Sequence, residues 1–438
     1  MGLRKHLAGL AGKAPARVFV VTGRGARKPV ERLRLDPRLE FVDSPRSATI
    51  LLVAGELPDL LRAAARALHD SLPRPRATVW WAPESGSPEL ADFPGALVLS
   101  AGDDVGAELM LTQAALLRGE QSSEPGLLPD TDPAPWRGVG PYGQGGTGMT
   151  GGVPYGRPLA GRAPDRDGLE LDQLPVHVGP FFPAFPPGLI LDVKLQGDVI
   201  QAAAVGANAF ARTGARRGAA ASVRGPFVRA LAQPVSIAEL ELARARHHLM
   251  WLGHALRIHG LGALGRRAWR LAGVLSPARA GEVQALRRLL DGTRSLGWAT
   301  SGVGVTDPTL LEKMSPGPVA RAAGIARDAR AEDPAYVALG FEPVVQRGGD
   351  ARARWRQRVD EVLQALCLAR QADGGSSTPV GRIESPRGTL TTANSPAAEL
   401  LELVPALLTG MEWGDAVTTI VSLDLDLEEA ASPRAAAT

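Results

Sequence analysis

The sequence predicts an α/β module built on a doubly wound parallel sheet, followed by a mainly α-helical domain that opens with a β-hairpin. Three observations predict this. Short strand-type runs alternate with helical spacing up to residue 119. A Gly- and Pro-rich stretch without apolar periodicity then runs through residues 120–173. Beyond it, a Pro-rich segment leads into alternating residues and then into long helical patterns.

In the first module, residues 1–119, Leu3 to Leu10 reads as a short helix. RVFVVT (Arg17 to Thr22) is a strand. ATILLVA (Ala48 to Ala54) is a second, and its unbroken apolar run suits a strand buried on both faces. Leu57, Leu60, Leu61, Ala64 and Leu68 recur at helical spacing until Pro73. Ala77 to Ala82 and Ala96 to Ser100 are further strands, and Val105 to Arg118 is a closing helix. Ligands of such sheets sit at the carboxyl ends of strands. The loops there, Ala82 to Gly86 and Ala101 to Asp104, are not phosphate cradles. Gly23-Arg24-Gly25 is only a fragment of one.

Residues 120–173 read as a linker. Gly138 to Gly156 offers almost nothing apolar to bury, so burial cannot offset the entropy of ordering it. No strand and helix flank its glycines as a phosphate-binding loop requires.

The second domain, residues 174–430, opens with Gly179-Pro180-Phe181-Phe182-Pro183-Ala184-Phe185-Pro186-Pro187-Gly188. Its prolines fix φ and remove N–H donors, which excludes a helix. Leu189, Leu191, Val193 and Leu195 then alternate with Ile190 and polar residues, Gly197-Asp198 makes a turn, and Val199-Ile200 begins a second strand. Ser236 to Leu256 is a long helix, with Ser236 and Glu239 as a capping box. His247, His248, His254 and His259 do not stand at i, i+4 spacing on one face, and no local carboxylate completes a triad. They read as structural or solvated rather than metal-binding. Ala280 to Leu296 is an amphipathic helix. The segment Gly348 to Arg354 opens a helix to about Ala372 that carries Arg354, Arg358 and Glu361, read as a solvated face with an Arg358–Glu361 pair. Ala397 to Leu408 is helical, and residues 431–438 are a disordered tail.

Composition narrows the function. The chain has 438 residues, 45% hydrophobic and 22% charged, as expected of a globular protein. Its formal charge of +3 does not call for nucleic acid. Cys367 is the one cysteine, so no disulfide within the chain and no multi-thiolate metal site can form. No apolar run reaches the roughly 18 residues of a membrane span. The first residues are too polar for a secretory signal. A cytoplasmic protein, soluble or peripheral on the inner membrane, is expected.

Several segments resemble one family. The Gly179–Gly188 segment with its hairpin is similar to the opening of the large-subunit fold shared by the D subunit of NADH-quinone oxidoreductase (complex I) and the [NiFe] hydrogenases. So are Glu239 to Gly253, Gly317-Pro318 with Arg321-x-x-Gly324 and Asp328-x-Arg330, Gly349-Asp350-x-x-x-Arg354, Glu384-x-Pro386-Arg387-Gly388, and Asp424 to Glu429. Ser44 to Ala48, LLVAG (Leu51 to Gly55) and Leu72 to Arg76 resemble the B subunit of complex I and the hydrogenase small subunit. The resemblance implies a B-like module fused to a D-like helical domain. It also implies a peripheral arm that moves electrons from iron–sulfur clusters to quinone or protons.

The residues that would carry this chemistry differ. Phe181 and Phe182 stand where the family has a polar residue and a His. Pro83, Glu84, Gly102 and Asp103 occupy loops that hold cluster cysteines, and Asp426 and Glu429 fall at the positions of the C-terminal nickel cysteines. Thiolates hold such centres, and carboxylates are poor substitutes. No [4Fe–4S] or NiFe centre is therefore expected. The resemblance then implies a redox-inactive structural or coupling subunit of a complex-I-like or energy-converting-hydrogenase-like assembly. Its partners would be membrane proteins of the antiporter-like or H-subunit-like kind. One alternative is a quinone pocket walled by Phe181, Phe182 and Phe185 and completed by partner chains. Another is a soluble binding protein with no membrane partner.

Overall fold

The computed structural model describes residues 11–12, 14–82, 92–130, 160–165, 167–211, 225–312, 314, 317–372, 374–378 and 381–431. The expected helix at Leu3 to Leu10, Glu84, the Gly138–Gly156 segment and residues 432–438 lie outside them.

The N-terminal module contains β1 (Ala16–Thr22), α1 (Arg27–Leu33), β2 (Leu39–Phe41), β3 (Ile50–Ala54), α2 (Asp59–Ser71), β4 (Ala77–Ala82), β5 (Leu97–Ser100) and α3 (Val105–Arg118). The strands are ordered β2-β1-β3-β4-β5 and all pair in parallel. Every residue of β3 is buried, in keeping with its apolar run between two layers. Sequence periodicity does not reveal β2 or α1. β2 has only three residues, and its pairing with β1 defines it. Asp104 caps α3 by accepting from the Ala107 N–H, and Gly119 ends that helix in the left-handed region. The chain after α3 stays on the module. The buried Glu124 carboxylate accepts from the Thr78 N–H at 2.8 Å and contacts His69 Nε2 at 3.0 Å.

A second, antiparallel sheet has the order β6-β7-β8-β9, with β6 (Gly161–Pro164), β7 (Glu170–Val178), β8 (Leu191–Gln196) and β9 (Val199–Val205). Strand pairing thus begins before Leu174, inside the stretch that composition assigns to a linker. Local hydropathy misses β6 and β7 because much of both strands is exposed; Leu174, for example, is 54% exposed.

The helical domain follows: α4 (Ile237–Ile258), α5 (Gly262–Gly273), α6 (Ala280–Gly292), α7 (Arg294–Thr300), α8 (Pro318–Ala322), α9 (Ala351–Gln371), the hairpin β10 (Arg382–Ser385) and β11 (Gly388–Thr391), α10 (Pro396–Leu408), α11 (Trp413–Leu423) and α12 (Leu427–Ala430), with shorter turns between. α4, α5, α6 and α9 bury Leu249, Leu252, Ala268, Leu286, Trp355 and Val362 together. Gly253 and Gly265 let α4 and α5 approach closely. A Cβ at Gly253 would lie 2.2 Å from the Trp269 ring, and one at Gly265 would lie 2.6 Å from the Gly253 carbonyl.

Three local expectations change. Ser236 makes no side-chain cap for α4, so the capping box does not form, and Glu239 is exposed against Arg229. The helix expected over Ala280 to Leu296 breaks at Thr293, which is extended. Arg354 and Arg358 are buried, not solvated, because backbone carbonyls receive them: Arg354 donates to Gly349 and Gly304, and Arg358 to Ser422 and Leu423. Glu361 bonds to Arg321 rather than to Arg358.

The two halves share one core. Phe19, Val21 and Val53 of the parallel sheet pack in the same cluster as Phe185, Leu189, Leu400 and Ile420. Polar clasps reinforce the join. The Gly25 N–H donates to Glu428, Arg24 donates to the Phe210 carbonyl at 2.9 Å, and Arg257 pairs with Asp43.

Candidate functional site

The join contains a cleft of about 110 Å³. β1 and α1 supply one wall, the Phe181–Pro187 segment a second, and α4 with the end of α11 the third. Two glycines shape the Pro-rich wall. Gly179 has φ +108, and a Cβ there would lie 2.0 Å from the Leu189 carbonyl oxygen. Gly188 has φ +83, and a Cβ there would lie 2.6 Å from the Phe210 ring. Both positions suit only glycine.

Phe181, Phe182 and Phe185 all line the cleft. Phe182 and Phe185 meet edge to face at 4.8 Å, and both contact Trp413 at 6.1 Å. Trp251 and His254 complete the apolar part. Burial, with Arg257 and Arg34 nearby, lowers the His254 pKa to about 3, so this imidazole is neutral. The polar part is Arg27, Glu31, Arg34, Asp43 and Asp424.

At the floor lies a charged cluster. Asp424 terminates α11 with φ 57, the one positive φ among described non-glycine residues. That strained position aims its carboxylate at His247 Nε2, 2.6 Å away, and at Arg387, 3.4 Å away. Arg387 also meets Asp426 at 3.2 Å and Glu429 at 2.7 Å. Arg27 reaches across from α1 to Asp426 at 3.0 Å and Asp424 at 3.5 Å. Burial pushes the Asp424 carboxyl up, but Arg387, His247 and Arg27 together hold it well below the usual carboxylate range. Burial opposes the charge of Arg387, yet Asp424, Asp426 and Glu429 raise its pKa. Burial lowers His247 to about 3 despite Asp424, so the neutral ring serves as hydrogen-bond partner to the carboxylate.

This geometry tests whether the side chains suit a metal centre. Asp426 and Glu429 do converge, but on guanidinium groups. Two arginines stand within about 3 Å of the carboxylates, where a metal cation would be repelled. Cys367 is exposed on α9 and has no described partner thiol. The residues do not fit a NiFe centre. Asp103 spends its carboxylate on the Ser100 N–H at 2.6 Å within a turn, and Glu84 lies outside the described residues. No group of three or more His, Cys, Asp or Glu among the described residues is arranged for a metal ion.

A second charged network stiffens the helical domain. Glu241 accepts from Arg244, Arg330 and Tyr336, the last at 2.8 Å. Arg321 bonds to Glu361 at 2.9 Å and Glu384 at 2.7 Å, and meets Asp328 at 3.0 Å. His248 joins through Glu361 at 3.1 Å. The motifs in the sequence mark Arg321, Arg330 and Glu384, and the Glu239–Gly253 segment takes in Arg244 and Glu241 without singling out either; nothing marks Arg27. Glu241 stands three residues before Arg244 and seven before His248, so it shares their helix face, and that spacing could have revealed it. Arg27 had no local signal, because its partners are about 400 residues away in sequence.

Comparison with known proteins agrees with the helical part. Residues 278–398 match the family described as respiratory-chain NADH dehydrogenase, 49 Kd subunit. The D subunit (copy 1) of NADH-quinone oxidoreductase from Solibacter usitatus is 29% identical over 196 residues, covering 35% of this chain and 48% of that protein. The corresponding D subunit from Protochlamydia amoebophila is 27% identical over 181 residues, covering 32% and 45%. Formate hydrogenlyase subunit 5 of Escherichia coli is 38% identical over 89 residues, covering 19% and 16%. The chain thus spans less than half the length of these relatives. Its C-terminal part is similar to the D subunit of NADH-quinone oxidoreductase, and the chain is complex-I-like in that part.

Proposed function

We propose that this chain is a redox-inactive structural or coupling subunit of a complex-I-like or energy-converting-hydrogenase-like assembly. It joins a B-like module to a D-like domain and sits peripherally on the cytoplasmic face of the membrane. Antiporter-like or H-subunit-like membrane proteins are its partners. One observation carries this reading: the carboxylates at the ligand positions, Asp426 and Glu429, are neutralised by Arg387 and Arg27. That arrangement ties α1 to the C-terminal turn and leaves the metal positions committed to holding the two halves together. Among the described residues no helix is long and apolar enough to cross a membrane, so the membrane contact in this reading runs through partners or the surface.

The test is element analysis of the full chain purified after expression with its neighbouring subunits, together with their co-purification. The reading expects no stoichiometric iron or nickel and a retained membrane subunit. A stoichiometric metal centre on this polypeptide would overturn it.

The cleft supports a second reading, a quinone site. Phe181, Phe182, Phe185 and Trp251 give an apolar slot with the neutral His254 beside them, and Arg34 is among its polar lining residues. A quinone analogue should then protect residues 180–187 from amide exchange. Unchanged exchange at saturating analogue would remove this reading.

A further inference from the structure

The charge of this protein is unevenly placed. Residues 261–300 carry seven arginines and two carboxylates, a net +5, while the whole chain is only +3. Everything else therefore sums to −2. The excess falls on three consecutive helices, α5, α6 and α7, and on the short turn before α6 that carries Arg279; together they form an outer wall of the helical domain. Their inner residues, Ala268, Leu271, Ala272, Val283, Leu286 and Leu296, are buried.

The two carboxylates do little to neutralise this wall. Glu282 pairs with Arg279, and Asp291 lies between Arg287 and Arg356. Arg266, Arg267, Arg270, Arg288 and Arg294 are exposed and make no ion pair or side-chain hydrogen bond with any described residue. Large apolar side chains stand among them. Trp298 is 81% exposed, Val274 57% and Leu289 45%. Trp298 lies one helical turn from Arg294 on α7, and Leu289 is adjacent to Arg288 on α6.

We infer that the α5–α7 wall is a docking surface for an anionic lipid bilayer. Guanidinium groups bind phosphate oxygens through paired N–H donors, and an arginine cluster gains from the negative potential of an acidic leaflet. Trp298 is the side-chain type that settles at the headgroup level, with its ring in the apolar boundary and its N–H in water. Exposed Val274 and Leu289 suit the same boundary. A nucleic acid would satisfy the arginines through its phosphates but would leave these aliphatic groups without a partner. An acidic protein would answer the charge, yet a lipid surface alone answers charge and apolar groups together without a shaped counterpart. The inference rests on this wall and not on the assembly proposed above.

Vesicle co-sedimentation of the full chain tests it. Vesicles of phosphatidylcholine alone are compared with vesicles containing a substantial fraction of phosphatidylglycerol. Binding should be at least tenfold tighter to the acidic vesicles and should weaken steeply with added salt. Two variants are measured beside the parent. Arg266→Gln/Arg267→Gln/Arg270→Gln should lower affinity for acidic vesicles at least tenfold. Trp298→Ala should lower it several-fold, and Trp298 fluorescence should shift to the blue on binding in the parent. All three substituted arginines are exposed, so circular dichroism and the unfolding midpoint should match the parent. Equal binding to both vesicle types, no binding, or retained binding in the triple variant would overturn the inference. Binding to polyglutamate or to single-stranded DNA in place of acidic vesicles would also overturn it, and would assign the wall to an acidic protein or a nucleic acid.

Discussion

Replacing Arg387 by Met should expose the role of the C-terminal carboxylates. Arg387 is 7% exposed and is held by Asp424, Asp426 and Glu429 at 3.4, 3.2 and 2.7 Å. Its loss leaves one buried carboxylate, Asp424, and two half-buried ones, Asp426 and Glu429, with a single remaining guanidinium, that of Arg27. Removing one member of a buried ion pair costs about 3–5 kcal/mol. Arg27 still serves Asp424 and Asp426, and Glu429 keeps the Ser395 hydroxyl at 3.1 Å and protonates readily because burial already raises its pKa. The loss should therefore fall near the low end, about 3 kcal/mol at pH 7.5. The pH dependence has a definite sign. In the parent the folded pKa of Asp424 is depressed, so its stabilisation is present above the unfolded value near 3.9 and is lost only as pH falls through the folded one. Without Arg387, Glu429, whose pKa burial already raises, gains its proton more readily folded than unfolded. The gap between variant and parent should then narrow from pH 7.5 to pH 5. Urea unfolding followed by tryptophan fluorescence at both pH values measures it. A loss under about 1 kcal/mol, or a gap independent of pH, would refute the assignment of Arg387 as the counter-ion.

Other perturbations have equally direct outcomes. Acidification should destabilise the parent in a window set by two half-buried histidines with lowered pKa. The folded pKa of His247 and His254 is about 3, so the unfolded chain binds these protons first and stability falls from about pH 6.5 downward. Each contributes at most about 1.4 kcal/mol per pH unit, and His254→Gln should flatten the slope by one such share. Phe185→Ala removes a ring that is buried and packed on Phe182 and Trp413, and should cost about 3–5 kcal/mol by urea unfolding. Gly253→Ala should lower stability by about 1–3 kcal/mol, although Ala favours helix, because its methyl would strike the Trp269 ring. An unchanged unfolding midpoint would mean that α4 and α5 do not cross there as closely as described.

Much of the fold was legible because its signals are local. The all-apolar ILLVA run, the Gly197-Asp198 turn and the spacing of Ala397 to Leu408 each specify their element without outside help. What could not be read depends on partners distant in sequence. β2 exists because β1 pairs with it, and β7 because Leu174 finds Leu195 across the ladder. The same holds for the site. Phe181, Phe182 and Phe185 were identifiable from the Pro-rich segment, and they do share one cleft. Arg27 was invisible because nothing near it in sequence suggests that it meets Asp426. The burial of Arg354 and Arg358 is not legible for a related reason: helical spacing shows which charges repel, but not which backbone carbonyls lie beyond the helix to receive them.

The shared core has a consequence for how the protein must be made. Phe19 and Val21 of the parallel sheet pack in one cluster with Phe185 and Ile420 of the later domain, so either half alone presents an oily face to water. Carrying both halves on one polypeptide keeps each face at a high local concentration of its mate and fixes their ratio at one to one. Severing the chain between residues 131 and 159 would turn folding into a concentration-dependent encounter, and the unmated faces would then become a route to aggregation.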